Sequence, residues 1–125
     1  MTGDGTPMGL VHVETEVLAG VAMATFAGQV DAVSQQHVSG ELRGLLDQHP
    51  VALVLDLRRV TFLASIGIAI LVNAHHAARR LGIAFAVVAD NRAVLRPLVA
   101  AQVDHVLPVH PTATAALAAV RLATT

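Results

Sequence analysis

The chain has 125 residues, of which 54% are hydrophobic and 14% are charged, and its formal net charge is −1. This length fits one domain with a single ordinary core. The absence of cysteine excludes disulfides, thiolate metal ligands and thiol catalysis. All basic residues are arginines without a basic stripe, and the three aromatic residues are all Phe. Direct binding to nucleic acid is therefore not expected.

Targeting signals are not evident in the sequence. The stretch Met1–Pro7 lacks the basic start and apolar core of a secretory signal. The longest apolar run, Phe62–Val72, is broken by a serine and a glycine and is too short to cross a bilayer. We expect a cytoplasmic protein without membrane insertion, with a flexible tail at residues 1–8 and a single domain over residues 9–125.

Two strands are predicted at the start of the domain. Val11, Val13 and Val17 alternate with polar residues, a pattern typical of a half-exposed edge strand. Gly20 marks a turn into a second strand over Val21–Phe26. The short connection indicates an antiparallel hairpin.

A first helix is predicted to begin at Asp31 and to end before Pro50. Gly40 and Gly44 lie inside it, and each costs about 1 kcal/mol relative to alanine. We expect close packing to explain at least one of them. The apolar face of this helix carries Val38, Leu42, Leu45 and Leu46.

Buried strands and helices then alternate. The aliphatic run Val51–Leu55 predicts a strand buried on both faces, followed by a loop over Asp56–Leu63. A second helix is expected over Ser65–Gly82, because glycine is a natural residue just after a helix end. Ile83–Ala89 predicts another buried strand.

Three further elements complete the chain. A third helix is predicted to open at Asn91, and Pro97 should kink it or limit it to two short turns. A short strand is predicted at His105–Pro108, and a fourth helix follows Pro111. The order ββαβαβαβα predicts an α/β fold with a mostly parallel five-stranded sheet, one antiparallel edge strand and four helices.

Partners of open α/β sheets usually bind the loops at the carboxyl ends of the strands, which here include Gly28–Asp31 and Asp56–Ser65. Over Val51–Gly67 the chain reads VALVLDLRRVTFLASIG. Together with the GxVD sequence that ends at Asp31, this segment resembles the STAS domain of bacterial anti-sigma factor antagonists. The resemblance extends from about residue 11 to residue 122.

The resemblance implies a STAS fold and a mechanism of partner switching. In this family the unphosphorylated domain binds an anti-sigma factor with a kinase fold and frees the sigma factor. The kinase then phosphorylates a serine at the start of the second helix, the complex dissociates, and a phosphatase resets the system. A phosphoryl group adds about −1.5 to −2 charges. A helix N-terminus tolerates this charge, whereas a close-packed interface does not.

The match to the family motif is incomplete at the phosphorylation site. Members with the full motif carry Asp-Ser-Ser-Gly before the helix, and the second serine accepts the phosphate. Aligned on Gly67, this chain has Ala64, Ser65 and Ile66 at the three preceding positions. Because Ile66 has no hydroxyl, the standard serine switch cannot be carried over intact.

Several polar residues near this motif have two interpretations. Ser65 is either the N-cap of the second helix, which its residue type favours, or a displaced phosphoacceptor. Thr61 is a weaker phosphorylation candidate and fits a loop residue better. Asp31 matches an acid that family members carry on the same surface, and helix capping explains it equally well. Asp56 fits a turn-forming acid rather than a catalytic one, since no second acid or base accompanies it.

The second helix has two predicted faces. The inward face carries Ile66, Ile70, Ala77 and Leu81. The outward face, which either contacts the partner or is a plain solvated surface, carries Ala69, Asn73, His76 and Arg80. The predicted partner-binding set is therefore Asp31, Thr61, Ala64, Ser65, Ile66, Gly67, Ala69, Asn73 and His76.

Other classes of function have weaker support. The seven histidines show no metal-ligand spacing, and no glycine-rich phosphate-binding motif is present, so no metal or cofactor is expected. An enzyme would need a nucleophile and base that the sequence does not pair. The sequence predicts a non-enzymatic anti-sigma factor antagonist. The alternative is a soluble accessory subunit of a membrane lipid-transport ATPase complex, because stand-alone domains resembling this fold also serve such complexes.

Overall fold

The computed structural model describes residues 11–124, and the predicted tail at residues 1–8 lies outside them. The predicted order ββαβαβαβα is confirmed. The elements are β1 (His12–Leu18), β2 (Val21–Val30), α1 (Gln35–Asp47), β3 (Ala52–Leu63), α2 (Ser65–Leu81), β4 (Ala84–Val88), α3 (Arg92–Ala100), β5 (Val109–His110) and α4 (Ala113–Thr124).

The strands form one sheet in the order β1-β2-β3-β4-β5. The predicted antiparallel hairpin is confirmed, with Val13 opposite Phe26, and the other three pairings are parallel. The turn between β1 and β2 places Ala19 and Gly20 at positive φ angles of 54° and 82°. A two-residue turn with both φ angles positive matches the right-handed twist of the two strands that it joins.

Helices cover both faces of the sheet. Apolar residues of α1, α2 and α3 form one core cluster with β2, β3 and β4. On the other face, α4 packs on β3 and β4 through Ala116 and Val120, which contact Val54 and Val88 in a smaller cluster. None of the helices within residues 11–124 has the length and hydrophobicity needed to span a membrane.

The predicted start of α1 at Asp31 is wrong, because residues 31–34 form a turn and the helix begins at Gln35. The Asp31 carboxylate accepts the backbone N–H groups of Val33 and Ser34 at 3.0 and 3.1 Å. The Ser34 hydroxyl donates to the Gln29 carbonyl at 2.9 Å and accepts the Asp31 N–H. The polar groups of residues 31–34 therefore form hydrogen bonds within this turn and with Gln29, and the helix begins only at Gln35.

The predicted loop at Asp56–Leu63 is also wrong, because β3 continues to Leu63 and stays paired with β2. The pairing has two irregularities, at each of which β3 contributes one more residue than β2. Such bulges shift the alternation of side chains between the two faces. They leave Arg58 and Arg59 exposed in a strand whose first six residues are buried.

Two smaller differences concern the C-terminal third. The last strand is Val109–His110 rather than the predicted His105–Pro108, because pairing with β4 starts only where Val87 N–H donates to the Pro108 carbonyl. Helix α3 runs through Pro97 as one nine-residue helix, about two and a half turns. The predicted C-terminus of α2 is confirmed, with Gly82 in the left-handed conformation at φ 73°.

The three glycines inside helices have different surroundings. Gly40 and Gly44 of α1 face open space, so the expectation that close packing explains one of them is wrong. Gly67 of α2 is buried, and a Cβ at this position would lie 2.7 Å from Leu63 Cδ1 and 2.8 Å from Val30 Cγ1. The first turn of α2 therefore contacts β2 and the end of β3 more closely than any other residue type would allow.

We expect Gly40→Ala and Gly44→Ala each to raise the free energy of unfolding by about 0.5–1 kcal/mol, because alanine restricts the unfolded chain and its methyl group meets no neighbour. Gly67→Ala should lower the free energy of unfolding by about 1–3 kcal/mol through overpacking. Equilibrium denaturation of the three variants measures both effects. A stabilising Gly67→Ala would contradict the close approach of α2 to the sheet.

Candidate partner-docking site

The start of α2 is attached to the end of β2. Ala64 N–H donates to the Val30 carbonyl at 2.9 Å, and the Ala64 carbonyl accepts the first helical N–H, from Ile68, at 3.1 Å. Ala64 has the extended backbone of an N-cap residue, with φ −80° and ψ 167°. This contact places the first turn of α2 next to the turn that leads from β2 into α1.

The predicted role of Ser65 as N-cap is wrong. Ala64 is the N-cap, and Ser65 is the first helical residue, exposed and without a capping hydrogen bond from its side chain. A capping side chain must start from the extended residue before the helix in order to fold back over the first amides. The first turn of α2 therefore carries the partial positive charge of the helix dipole, and the side chain of the N-cap residue accepts no hydrogen bond from its free backbone N–H groups.

Two exposed apolar side chains that the sequence analysis missed belong to the segments that adjoin the start of α2, namely the turn after Val30 and the end of β3. Val33 belongs to the turn between β2 and α1, and 76% of its surface is exposed. Phe62 lies in the bulged end of β3 and is 51% exposed, unlike the buried Phe26 and Phe85. The sequence feature that could have drawn attention to Phe62 is its position in VTFLAS, three residues before the first residue of α2. Exposure itself could not be read from sequence, because the loop assignment concealed which face the side chain occupies.

The predicted site residues divide by exposure. Thr61, Ser65, Ala69, Asn73 and His76 are exposed, Asp31, Ala64 and Ile66 are half-buried, and Gly67 is buried. We call the neutral residues around the start of α2 the α2-cap surface. It comprises Val33, Thr61, Phe62, Ala64, Ser65, Ile66, Ala69 and Asn73. Asp31 lies at its margin with its carboxylate engaged in its own turn, and His76 lies farther along α2.

The predicted outward face of α2 is confirmed as exposed, but the predicted inward face is only partly right. Ile70 is buried, whereas Leu81 is 45% exposed. The buried face of α2 is displaced from the predicted one, because Gly67, Leu71 and Ala78, each one position after a predicted residue, are buried. The buried residues of α2 are Gly67, Ile70, Leu71, Ala74 and Ala78. Ala77 is half-buried and packs against the core cluster, as predicted for the inward face, and Ile66 is half-buried. Both also line a groove of about 350 Å³ between α1 and α2.

Asp56 has a structural role in the bulged part of β3. Its carboxylate accepts from Arg58 Nη2 at 2.8 Å, from Arg58 Nε at 3.0 Å and from the Arg58 backbone N–H at 3.1 Å. Burial alone would raise the pKa of Asp56, but the hydrogen bonds and charge of Arg58 outweigh it and hold the pKa below its usual value. The predicted turn is replaced by an ion pair at a bulge.

Asn91 holds the second half of β3 in place. Its side-chain amide donates to the Val60 carbonyl at 2.8 Å and to the Leu57 carbonyl at 3.2 Å. Although Asn91 is the N-cap of α3, as predicted, its side chain makes no capping bond. It instead ties the start of α3 to the segment of β3 that precedes Phe62.

His75 of α2 packs its ring 5.2 Å from the ring of Phe85, and its buried Nδ1 atom has no hydrogen-bond partner. Burial lowers the pKa of His75, and the charges of Arg79 and His76 act in the same direction. The side chain therefore fits a neutral, packed role. Within residues 11–124 no three side chains are grouped as metal ligands.

Comparisons with known proteins agree with this architecture. The family model of the STAS domain matches residues 12–116. An anti-sigma factor antagonist from Mycobacterium paratuberculosis, known from its crystal structure, is 33% identical, with 89% of this chain and 94% of that chain covered and a TM-score of 0.82. No curated protein matches the sequence.

Two further solved structures share the fold at lower identity. A candidate anti-sigma factor antagonist from Thermotoga maritima is 18% identical, covers 87% of this chain and 94% of its own, and has a TM-score of 0.78. The anti-sigma factor antagonist SpoIIAA in its unphosphorylated form is 12% identical, covers 88% and 96% of the two chains, and has a TM-score of 0.73. At these identities the likeness concerns the fold alone.

We expect the free energy of unfolding to decrease as the pH falls below about 6.5, the ordinary histidine value. The lowered pKa of His75 means that the folded state binds fewer protons than the unfolded state, so its contribution is complete above that value and is lost as the pH falls through the folded pKa. Urea denaturation between pH 7.5 and 5 measures the slope. His75→Gln should flatten it, whereas exposed His37→Gln should retain it; equal slopes in wild type and His75→Gln would contradict this role.

Proposed function

Because the chain belongs to the STAS domain family, we propose that it is an anti-sigma factor antagonist that binds a kinase-fold anti-sigma factor and thereby frees a sigma factor. The observation that carries the proposal is the α2-cap surface, which is neutral and partly apolar. It lies at the start of the helix in a chain 33% identical to an anti-sigma factor antagonist. Binding, rather than catalysis, is the activity that such a surface supports.

The apolar part of the α2-cap surface supplies the main energetic argument. Phe62, two residues before the N-cap Ala64, and Val33, three residues after Val30, expose large hydrophobic side chains to water. Full burial of a phenylalanine side chain contributes about 1.5–3 kcal/mol, and burial of the exposed half of Phe62 contributes about half of that. Aromatic residues near the centre of an interface are frequent anchors of binding. Phe62 is therefore the residue on which affinity should depend most.

Ser65 is the residue through which this binding would be regulated. Its hydroxyl is exposed and not engaged in a cap, and Ile66 at the usual acceptor position cannot carry a phosphate. The γ-phosphoryl group of ATP would pass to Ser65 Oγ, with release of ADP and the hydroxyl proton. Within the domain the amides and dipole of α2 would accommodate the phosphate. Against a close-packed partner the same dianion would impose desolvation and repulsion.

Phe62→Ala should weaken binding to the kinase-fold anti-sigma factor by about tenfold or more, because it removes the largest exposed apolar group of the α2-cap surface. The measurement is a pull-down from the source cell to identify the partner, followed by titration with the purified partner. Leu18→Ala is the matched control, since Leu18 is 79% exposed in the β1–β2 hairpin and should leave affinity unchanged. Copurification with membrane ATPase subunits, and no kinase-fold protein, would contradict the proposal.

Incubation with the anti-sigma kinase and ATP should add one phosphate to the wild-type protein and none to Ser65→Ala, as measured by intact mass. Thr61→Ala should still be phosphorylated, which separates the two hydroxyls. Ser65→Glu should bind the unphosphorylated partner more weakly than wild type because it places a charge in the neutral surface. A partner that binds well but never phosphorylates the chain would contradict regulation at Ser65 and leave a constitutive antagonist.

A further inference from the structure

A groove separates α1 from α2 and opens beside the α2-cap surface. Its volume is about 350 Å³. Leu42 and Leu46 of α1 and Ile70 and Ala74 of α2 form an apolar floor whose members all belong to the larger core cluster. These four side chains are buried, and the apolar lining that remains accessible consists of Ile66, Ala69 and Ala77. Grooves between two helices are a common position for a bound protein segment.

The charges along this α1–α2 groove have one sign. Arg43 of α1 and Arg80 of α2 are the charged residues of its lining, and no carboxylate lines it. Both guanidinium groups are exposed, and within the described part of the chain neither lies within 4 Å of a carboxylate. Arg58, in contrast, is held by Asp56. Two arginines with no carboxylate from residues 11–124 within 4 Å give the groove lining a positive charge, which is complementary to negative charge.

The groove and the α2-cap surface are continuous. Ile66, Ala69 and Asn73 belong to both. Because a helix rises about 1.5 Å per residue, Arg80 lies about 21 Å along α2 from Ile66. Arg80 lies in the last turn of α2, where the helix dipole alone accounts for a basic residue. Arg43 is not in the last turn of α1, so the helix dipole does not account for its position.

We propose that the α1–α2 groove receives an acidic, amphipathic helix of the same partner protein, with apolar side chains against Ile66, Ala69 and Ala77 and carboxylates against Arg43 and Arg80. This inference rests on the proposed function, because the partner is the protein that binds the α2-cap surface. The two parts of this binding surface would have different roles. The α2-cap surface would control whether the complex forms, and the two arginines would steer the approach of the partner and select it by charge.

The test is the double variant Arg43→Glu/Arg80→Glu, titrated with the purified kinase-fold anti-sigma factor over a range of salt concentrations. We expect affinity to fall by about tenfold or more, mainly through slower association, and the salt dependence of the association rate to weaken or reverse. The neutral variant Arg43→Gln/Arg80→Gln should give a smaller loss. Both positions are exposed, so circular dichroism should remain close to wild type. Arg80→Glu places an acid in the last turn of α2 and should lower the unfolding temperature slightly, whereas Arg80→Gln should lower it less.

The matched control is Arg92→Glu/Arg96→Glu on α3, which changes the net charge equally and at exposed positions outside the groove. Affinity and salt dependence should stay close to wild type in this control. If the groove variant and the control behave alike while wild type binds well, the inference fails and the proposed function stands. If wild type binds no kinase-fold anti-sigma factor, both fail together.

Discussion

The close approach of α2 to the sheet at Gly67 is the constraint on which the geometry of the site depends. No side chain fits between this residue and Val30 or Leu63, and the Ala64 N–H is bonded to the Val30 carbonyl. These contacts fix the first turn of α2 relative to the turn between β2 and α1. The exposed Val33 and Ser65 therefore belong to one surface although 31 residues of chain separate them.

The end of β3 is the second support of this surface. Beyond Asp56, β3 is no longer paired with β4. Asn91 donates to the Leu57 and Val60 carbonyls in this part of the strand, and the Asp56–Arg58 pair lies at the first irregularity. Polar groups that looked like turn or catalytic candidates thus act as internal supports of the strand.

The order of elements could be predicted because hydrophobic periodicity and glycine positions are local signals, as at Val51–Leu55 and Gly82. The extension of β3 could not be predicted, because the bulges place two exposed arginines, Arg58 and Arg59, in succession. This breaks the alternation of apolar and polar residues by which a strand is recognised, so the sequence resembles a loop. The N-cap assignment of Ser65 failed by one residue, because a backbone bond from Ala64 to β2 sets where the helix begins. Residue type favoured the serine, but a tertiary contact decided the boundary.

The turn at residues 31–34 has a consequence for the rate of the binding proposed above. Its carboxylate, hydroxyl and amides already bond to one another, so Val33 is held in a fixed shape before any complex forms. A preformed surface loses little conformational entropy on association. Complex formation should then need no slow rearrangement of this chain, and the lifetime of each complex would be set by the interface itself.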